Sequence, residues 1–236
     1  MQVSYNTPNV GSFVVNSSPS PPSFDDNFKS GLLELLKWRG NVRHFRPDPI
    51  PSAIVDALIA SGSRSPSVGY SQPWRFVLIK TPAIRKKVRE SLMASLQAPA
   101  GEPGERSASY ADLPMPALPA CELNLWGLDQ APEQMAVFCD MSTNTGHGLG
   151  RQTMPTMLEY STVMACYTLW LVARSYQIGV GWMPTPAPDE MRSILLVPDS
   201  WKPIAYLCIG YPAEDHLSEL ANNACGPYQA PEILVR

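Results

Sequence analysis

The sequence predicts a layered domain in which helices pack on a β-sheet, of either the α+β or the α/β class. Three short apolar runs, residues 75–80, 133–140 and 204–211, have the length and composition of buried strands. Longer segments with apolar residues at helical spacing separate these runs along the chain. The 236 residues contain no internal repeat and are enough for one domain with a sizeable core.

The helices are predicted from spacing and end signals. The run GLLELLKWR predicts a helix that ends near Gly40, and Ser52 is the predicted N-cap of the helix AIVDALIAS. Residues 83–96 form a predicted helix with one basic face. Residues 156–175 are apolar nearly all round, which is typical of a helix in a core or a subunit interface. A short helix is predicted over residues 189–196.

Two segments are predicted to lie outside this regular framework. Residues 1–28 contain SSPSPPS and bury little, so we expect them to be extended or disordered. Residues 29–236 then form a single domain. Within it, residues 98–120 are rich in Pro, Gly and Ala, and a loop of that length is typical of a lid or a binding segment.

The composition excludes several classes of protein. A net charge of −3, with no concentration of Lys and Arg, argues against a nucleic-acid-binding surface. No apolar run approaches the roughly 20 residues of a membrane span, and the N-terminus has no secretory signal, so we expect a cytoplasmic protein. The five cysteines are scattered and form no CxxC pair, which predicts buried free thiols. The three histidines are far apart, so no metal site is predicted.

The first candidate site is a cluster of arginines after the first helix. Arg39, Arg43 and Arg46 lie within eight residues of an otherwise acidic chain, together with Asn41 and His44. Because a guanidinium donates two parallel hydrogen bonds to phosphate, Arg39 and Arg43 are suited to a terminal phosphate. A solvated basic turn that pairs with nearby Asp or Glu explains the same charges equally well.

Three further segments are polar or rich in glycine. Residues 66–74 (PSVGYSQPW) suit hydrogen bonding to a planar heterocycle, although a plain turn into the next strand explains them too. Residues 146–151 (GHGLGR) lack the dinucleotide fingerprint and are a weak candidate for an anion cradle. The glycines of residues 179–182 (GVGW) either permit close approach of the backbone to a flat ligand or end the preceding helix.

Taken together and in this order, these segments resemble the nitroreductase superfamily, and more narrowly its BluB branch of 5,6-dimethylbenzimidazole synthases. The matching pieces run from about Trp38 to about Leu220 and include WRGNVRHFRPDPIP, SPSVGYSQPWRFVLIK, APEQMAVFCD and IAYLCIGYP. GHGLGRQTMP followed by YSTV is specific to that branch. The resemblance implies an α+β homodimer with a central, mostly antiparallel sheet flanked by helices, and FMN bound in clefts built from both subunits.

Carried over residue by residue, the resemblance assigns the parts of an FMN site. Arg39 and Arg43 hold the phosphate, within the segment Arg39, Gly40, Asn41, Val42 and Arg43. The flavin is lined by Pro66, Ser67, Val68, Gly69, Ser71 and Gln72, with Arg106 as a flavin or lid contact and Gly181, Trp182 and Met183 near the reactive edge of the ring. Enzymes of this branch use reduced FMN and O₂ and dismantle the flavin itself to form the benzimidazole.

The chain departs from the branch at three places. Asn41 stands where the branch has its essential catalytic Asp, and a carboxamide cannot take up a proton as a carboxylate does. Pro184 stands where the branch has a Ser, and it offers neither a hydroxyl nor a backbone N–H. Ala224 and Cys225 replace a Gly-Trp pair. Asn41 and Pro184 are therefore the candidate catalytic positions at which the chemistry differs.

These observations leave three functions open. The first is an FMN-dependent oxidoreductase whose diverged chemistry uses flavin, in reduced form with O₂ or as a hydride acceptor, on a small organic substrate or on flavin itself. The second is a 5,6-dimethylbenzimidazole synthase that cleaves reduced FMN with O₂ and tolerates Asn41. The third is a non-catalytic flavin-binding protein. No motif indicates the substrate or the electron donor.

Overall fold

The computed structural model describes residues 22–97, 126–183, 185–213 and 231–234. Along these ranges the chain forms α1 (Asp26–Trp38), α2 (Ser52–Gly62), β1 (Trp74–Leu78), α3 (Pro82–Gln97), α4 (Trp126–Gln130), β2 (Glu133–Asp140), α5 (Met157–Ser175), β3 (Gly179–Met183), α6 (Pro188–Leu195) and β4 (Trp201–Gly210). A single turn of 3-10 helix, Val68–Tyr70, precedes β1.

The four strands form one sheet in the order β1-β2-β4-β3, and every neighbouring pair is antiparallel. The central strand β2 pairs with both β1 and β4, and all of its residues are buried. Its register against β4 shifts between Val137 and Phe138. An antiparallel sheet with helices packed against it confirms the α+β alternative of the predicted fold class.

Alternating side chains of β2 divide the core into two layers, one on each face of the sheet. Phe138 belongs to the cluster that contains Leu92 of α3 and Met191 of α6. Its neighbour Val137 belongs to the other cluster, which contains Leu169 of α5 and residues of α2. The long helix α5 therefore covers one face of the sheet, as its apolar composition predicted.

The strand β3 is a fourth strand where the sequence predicted three. Its two glycines indicated a break after α5, but α5 already ends at Ser175. Gln177 takes the left-handed conformation with a φ of 61°, and the Ile178 N–H donates to the Ala173 carbonyl to close the last turn. The helix therefore ends without glycine, and the two glycines serve the strand.

Two helix starts also differ from the predictions. Helix α1 begins at Asp26, ahead of the predicted run GLLELLKWR and within the segment that was predicted to be extended or disordered. The Asp25 carboxylate accepts the Phe28 N–H at 2.8 Å and caps the helix. Ser52 is the first residue of α2 rather than its N-cap, since Pro51 takes that place without a side-chain bond.

The short helix α4 follows a region where no element was predicted. Residues 98–120, and residues 1–21 of the N-terminal segment, lie outside the described residues.

Candidate functional site

The arginine segment, residues 39–43, lies along the open edge of β3. Val42 N–H donates to the Val180 carbonyl at 3.1 Å, and Asn41 Oδ1 accepts the Trp182 N–H at 2.7 Å. On an edge strand, alternate residues direct their N–H and C=O groups away from the sheet, and these two bonds satisfy such groups. The structure thus joins the first and the fourth of the predicted segments directly.

Glycine is required at position 181 for this contact. A Cβ atom on Gly181 would lie 2.3 Å from the Val42 carbonyl oxygen, and one on Gly179 would lie 2.6 Å from Val42 Cγ2. The close approach that these glycines permit is therefore to the backbone and side chain of the protein itself. Contact of Gly181 and Trp182 with a flavin stays a prediction.

Arg39 is held between aromatic rings of α5. Its guanidinium lies 5.0 Å from the centre of the Trp170 ring and 5.6 Å from that of Tyr167, which restricts the plane of the group. The Trp170 ring lies 6.4 Å from the Trp182 ring of β3. The Trp170 indole N–H is buried without a hydrogen-bond acceptor among the described residues. Because an unpaired buried donor is costly, it marks a place for an acceptor.

The three arginines of the cluster have different surroundings. Arg46 pairs with Asp48 at 3.4 Å and lies over the Tyr211 ring at 5.2 Å, as expected for a locally paired surface charge. Arg43 is exposed, whereas Arg39 is half-buried. The fork of Arg39 and Arg43 stays the predicted anion-binding pair, whereas Arg46 is paired locally with Asp48.

The polar loop, residues 66–74, is attached to α5 through hydroxyl groups. Val68 N–H donates to Ser161 Oγ at 3.1 Å. Just before the loop, Ser65 Oγ donates to Thr168 Oγ1 at 2.7 Å. Within the loop, Gln72 N–H donates to Ser67 Oγ at 3.1 Å. Because the Ser67 oxygen accepts this bond, its hydroxyl proton is left to donate elsewhere.

The polar loop touches the glycine loop, residues 146–151, backbone against backbone. A Cβ atom on Gly69 would lie 2.9 Å from the Gly146 carbonyl oxygen. A non-glycine residue in the left-handed region costs on the order of 1–3 kcal/mol, and such residues cluster at functional sites. Three of them lie in these two touching loops, with φ angles of 55°, 44° and 49°: Tyr70, Gln72 and His147.

An anion cradle in the glycine loop stays a prediction. The Arg151 guanidinium donates to the Thr143 carbonyl at 2.6 Å and so closes its own loop. What the loop supports is the polar loop beside it. There Ser71 is 3% exposed, and its Oγ has no hydrogen-bond partner within the described ranges.

The two groups of site residues flank one face of α5. At about 100° per residue, Ser161 and Thr168, which hold the polar loop, lie on one side of this helix. Trp170, which holds Arg39, lies on the other side. Between them lies an apolar stripe whose four side chains are 41–52% exposed: Tyr160, Val163, Met164 and Tyr167. The predicted site residues thus form two separate groups within one chain.

The remaining predicted site residues differ in their burial. Val42 and Met183 are buried in the core, so their side chains serve packing. Gly40 is buried and Pro66 is exposed. Arg106 and Pro184 lie outside the described residues. The supporting residues on α5 were not predicted, although hydroxyl side chains seven residues apart on an apolar helix, at Ser161 and Thr168, are a readable signal.

The described cysteines are packing residues. Cys139, Cys166 and Cys208 are free and buried, as predicted, and burial raises the pKa of the Cys166 thiol to about 12. A thiol of that pKa is not a nucleophile at neutral pH. Among the described residues, no group of His, Cys, Asp or Glu is placed to hold a metal ion. No helix in these ranges is both long and apolar enough to cross a membrane.

Comparison with known proteins identifies relatives along most of the chain. Residues 36–211 match the family described as the Nitroreductase family. A 5,6-dimethylbenzimidazole synthase of Rhodospirillum rubrum is 46% identical over 196 residues, which cover 83% of this chain and 88% of the relative. Another protein of that name, from Rhodobacter capsulatus, is 42% identical over 80% of this chain and 87% of its own length.

The fold is shared with a solved enzyme of a different name. The structure of an oxidised iodotyrosine deiodinase, bound to FMN and 3-iodo-L-tyrosine, superposes with a TM-score of 0.60 and 20% identity. The match covers 87% of this chain and 97% of that one. At this level of identity the likeness shows the fold alone.

Proposed function

Because the chain belongs to the nitroreductase family and is a flavin-dependent oxidoreductase, we propose that its cofactor is FMN and that its chemistry has diverged from flavin cleavage. In this proposal the enzyme acts on a small organic substrate or on flavin itself, with O₂ as co-substrate of the reduced form. The observation that carries the divergence is the carboxamide of Asn41, whose oxygen is bound to the Trp182 N–H.

The described residues fit a bound FMN. Each part of the site has a buried polar group without a partner in the described ranges, the Trp170 N–H beside Arg39 and the Ser71 hydroxyl in the polar loop. Arg39 and Arg43 would hold the phosphate, and Ser67 and Gln72 of the polar loop would donate to the ring. FMN, when bound, supplies two-electron redox chemistry that the side chains cannot.

Asn41 determines which proton transfers the protein can support. Its Oδ1 accepts the Trp182 N–H, so its Nδ2 is the group directed away from β3. A carboxamide neither gives nor takes a proton near neutral pH, so position 41 holds no general base. A reaction that relies on redox transfer with positioned hydrogen bonds fits this residue better than one that needs a carboxylate here.

The second candidate function is 5,6-dimethylbenzimidazole synthesis from reduced FMN and O₂. It is favoured by the relatives of that name, which are 42–46% identical to this chain. In this case Asn41 would be tolerated because the hydrogen bond to Trp182 needs only an acceptor oxygen, which both residue types supply.

The exposed stripe on α5 supports a homodimer that completes the site. A contiguous exposed apolar helix face of this kind is typical of a protein–protein contact. The polar loop and the arginine segment lie on opposite sides of the stripe. In the proposed homodimer, a second copy packs on the stripe so that the polar loop of one chain faces the arginine segment of the other.

Product analysis separates the two functions. The purified protein is incubated with FMN and NADH or NADPH in air, and the products are resolved by chromatography with mass detection. We expect the nicotinamide to be oxidised with release of peroxide while FMN stays intact. Formation of 5,6-dimethylbenzimidazole above the enzyme-free background would establish the second function instead.

Variants test the residues that carry the proposal. Arg39→Ala is expected to weaken FMN binding, and a wild-type protein that does not bind FMN removes the proposal entirely. Asn41→Asp combined with Pro184→Ser is expected to move activity toward flavin cleavage. No gain of benzimidazole in this double variant means that these two positions do not control the outcome.

A further inference from the structure

We propose that Arg75 and Asp140 are positioning residues for the polar loop, which fix the backbone of Gln72 and, through it, the hydroxyl of Ser67. This inference rests on the proposed function, because it takes the polar loop to be the part that meets the flavin ring. Neither residue belongs to the predicted site. Both lie at the end of the sheet where β1 begins and β2 ends.

The Arg75 guanidinium binds the backbone of the loop at two points. One of its terminal nitrogens, Nη1, donates to the Gln72 carbonyl at 3.1 Å and to the Trp74 carbonyl at 2.9 Å. The other, Nη2, donates to Asp140 Oδ2 at 2.8 Å. The flat face of the guanidinium lies 5.9 Å from the centre of the Trp201 ring. Four contacts from one planar group leave it little freedom.

Asp140 completes the clamp from β2. Its backbone N–H donates to the Pro73 carbonyl at 2.8 Å, so Arg75 and Asp140 together engage three consecutive carbonyls of the loop. Its other carboxylate oxygen accepts the Ser142 hydroxyl at 2.7 Å and the Ser142 N–H at 3.0 Å. The carboxylate is only 13% exposed, which favours a persistent pair over a solvent-screened one.

The clamp acts on a strained residue. Gln72 has a φ of 44°, and a non-glycine residue in this region persists only when its surroundings hold it there. Its carbonyl is held by Arg75 and its N–H by Ser67 Oγ. The Gln72 side chain itself is exposed. The contacts thus fix the backbone while leaving the Gln72 amide and the Ser67 hydroxyl proton as the groups that face a ligand.

The same two strands offer a matched control. At the opposite end of the β1–β2 pair, Lys80 forms a salt bridge with Glu133, which is as buried as Asp140. That pair touches no residue of the polar loop. Removal of either pair is expected to lower stability, but only removal of the Arg75 pair is expected to change the flavin site.

The test compares FMN binding by Arg75→Met, Arg75→Lys, Asp140→Asn and Glu133→Gln. FMN fluorescence quenching gives the Kd, and visible circular dichroism of the bound flavin reports its surroundings, both measured well below each variant's unfolding temperature. We expect Arg75→Met to raise the Kd roughly tenfold and to alter the dichroism, as loss of a charged hydrogen-bonding group implies. Glu133→Gln is expected to leave both unchanged.

Two variants separate positioning from stability. Arg75→Lys keeps the charge opposite Asp140, but one ammonium cannot also reach both carbonyls, so we expect recovered stability with weak FMN binding. Asp140→Asn keeps the backbone bond to Pro73 and is expected to lie between wild type and Arg75→Met. Wild-type Kd and dichroism in Arg75→Met, or equal changes in Glu133→Gln, overturn this inference alone. A wild-type protein that binds no FMN overturns the proposed function and this inference together.

Discussion

The side chain of Asn41 holds the arginine segment on β3. Its oxygen accepts the Trp182 N–H at 2.7 Å, beside the backbone bond from Val42 to Val180. This structural task needs an acceptor oxygen and makes no use of the amide hydrogens. The same residue therefore has two separable properties, an acceptor that fixes the segment and a lack of acid–base chemistry.

Measuring the stability of variants at position 41 can separate these two properties. Asn41→Ala removes the acceptor for the Trp182 N–H and is expected to lower the free energy of unfolding by about 1 kcal/mol. Asn41→Asp keeps an acceptor and is expected to match wild type at pH 7. Urea denaturation measures both. Equal losses in the two variants would show that the hydrogen bond does not hold the segment.

Asp140 predicts a pH dependence of stability. Burial alone would raise the pKa of its carboxyl, but hydrogen bonds from Ser142 and the charge and hydrogen bond of Arg75 outweigh burial and lower that pKa below its usual value. A carboxyl with a depressed folded-state pKa contributes stability above its unfolded pKa of about 4. This contribution is lost as the pH falls through the lower, folded-state value.

The comparison of wild type with Asp140→Asn tests this dependence. We expect wild type to unfold at a higher temperature than the variant, by a constant margin between pH 7 and about pH 5. The margin should shrink steadily below about pH 4, where the Asp140 carboxyl of the unfolded chain takes up a proton before that of the folded protein does. Scanning calorimetry across this range measures the margin. A margin that stays constant down to pH 3 contradicts the ion pair.

At the scale of elements, the contact between β3 and the arginine segment depends on the absence of a Cβ atom at Gly181. Gly181→Ala places a methyl group against the Val42 carbonyl, so the segment must move away from the strand. We expect a loss of about 1–3 kcal/mol in unfolding free energy and weaker FMN binding. The control is Gly31→Ala in α1, where the added Cβ meets nothing within 4 Å and no destabilisation is expected.

Elements with local patterns were predictable, and those that depend on distant contacts were not. β2 is buried along its whole length, and its apolar run predicted its bounds. β3 was not predicted because its glycines are required by close contact with Val42, which lies far from β3 in the sequence. The N-cap was placed at Ser52 rather than Pro51 because residue type alone ranks serine higher.

For the candidate site, the sequence indicated the motifs but not the residues that hold those motifs in place. The residues of the arginine segment and the polar loop were identified by type and spacing. Arg75 was not identified, because within the run RFVLIK it has the pattern of a polar residue at the start of a strand. Its role comes from a loop that turns back on it, with Gln72 in a conformation that no sequence pattern indicated.

At the scale of the whole molecule, the parts of the site are distributed around α5. One side of this helix holds the polar loop, the opposite side holds Arg39, and the face toward the sheet is buried. The remaining face is the exposed apolar stripe. In the proposed homodimer, a second copy of the chain covers this fourth face and completes the site.

Charges placed on the stripe test this arrangement. Val163→Glu combined with Met164→Glu puts two carboxylates into the contact, which is expected to convert a homodimer into a monomer. Analytical ultracentrifugation measures the mass, and FMN fluorescence quenching measures the Kd in the same samples. The control is Leu196→Glu, which is expected to stay dimeric. Leu196 follows α6, is 89% exposed, and lies next to the core layer that does not contain α5. If the stripe variant is monomeric yet binds FMN like wild type, the site lies within one chain. If wild type is itself a monomer, the proposed contact does not form.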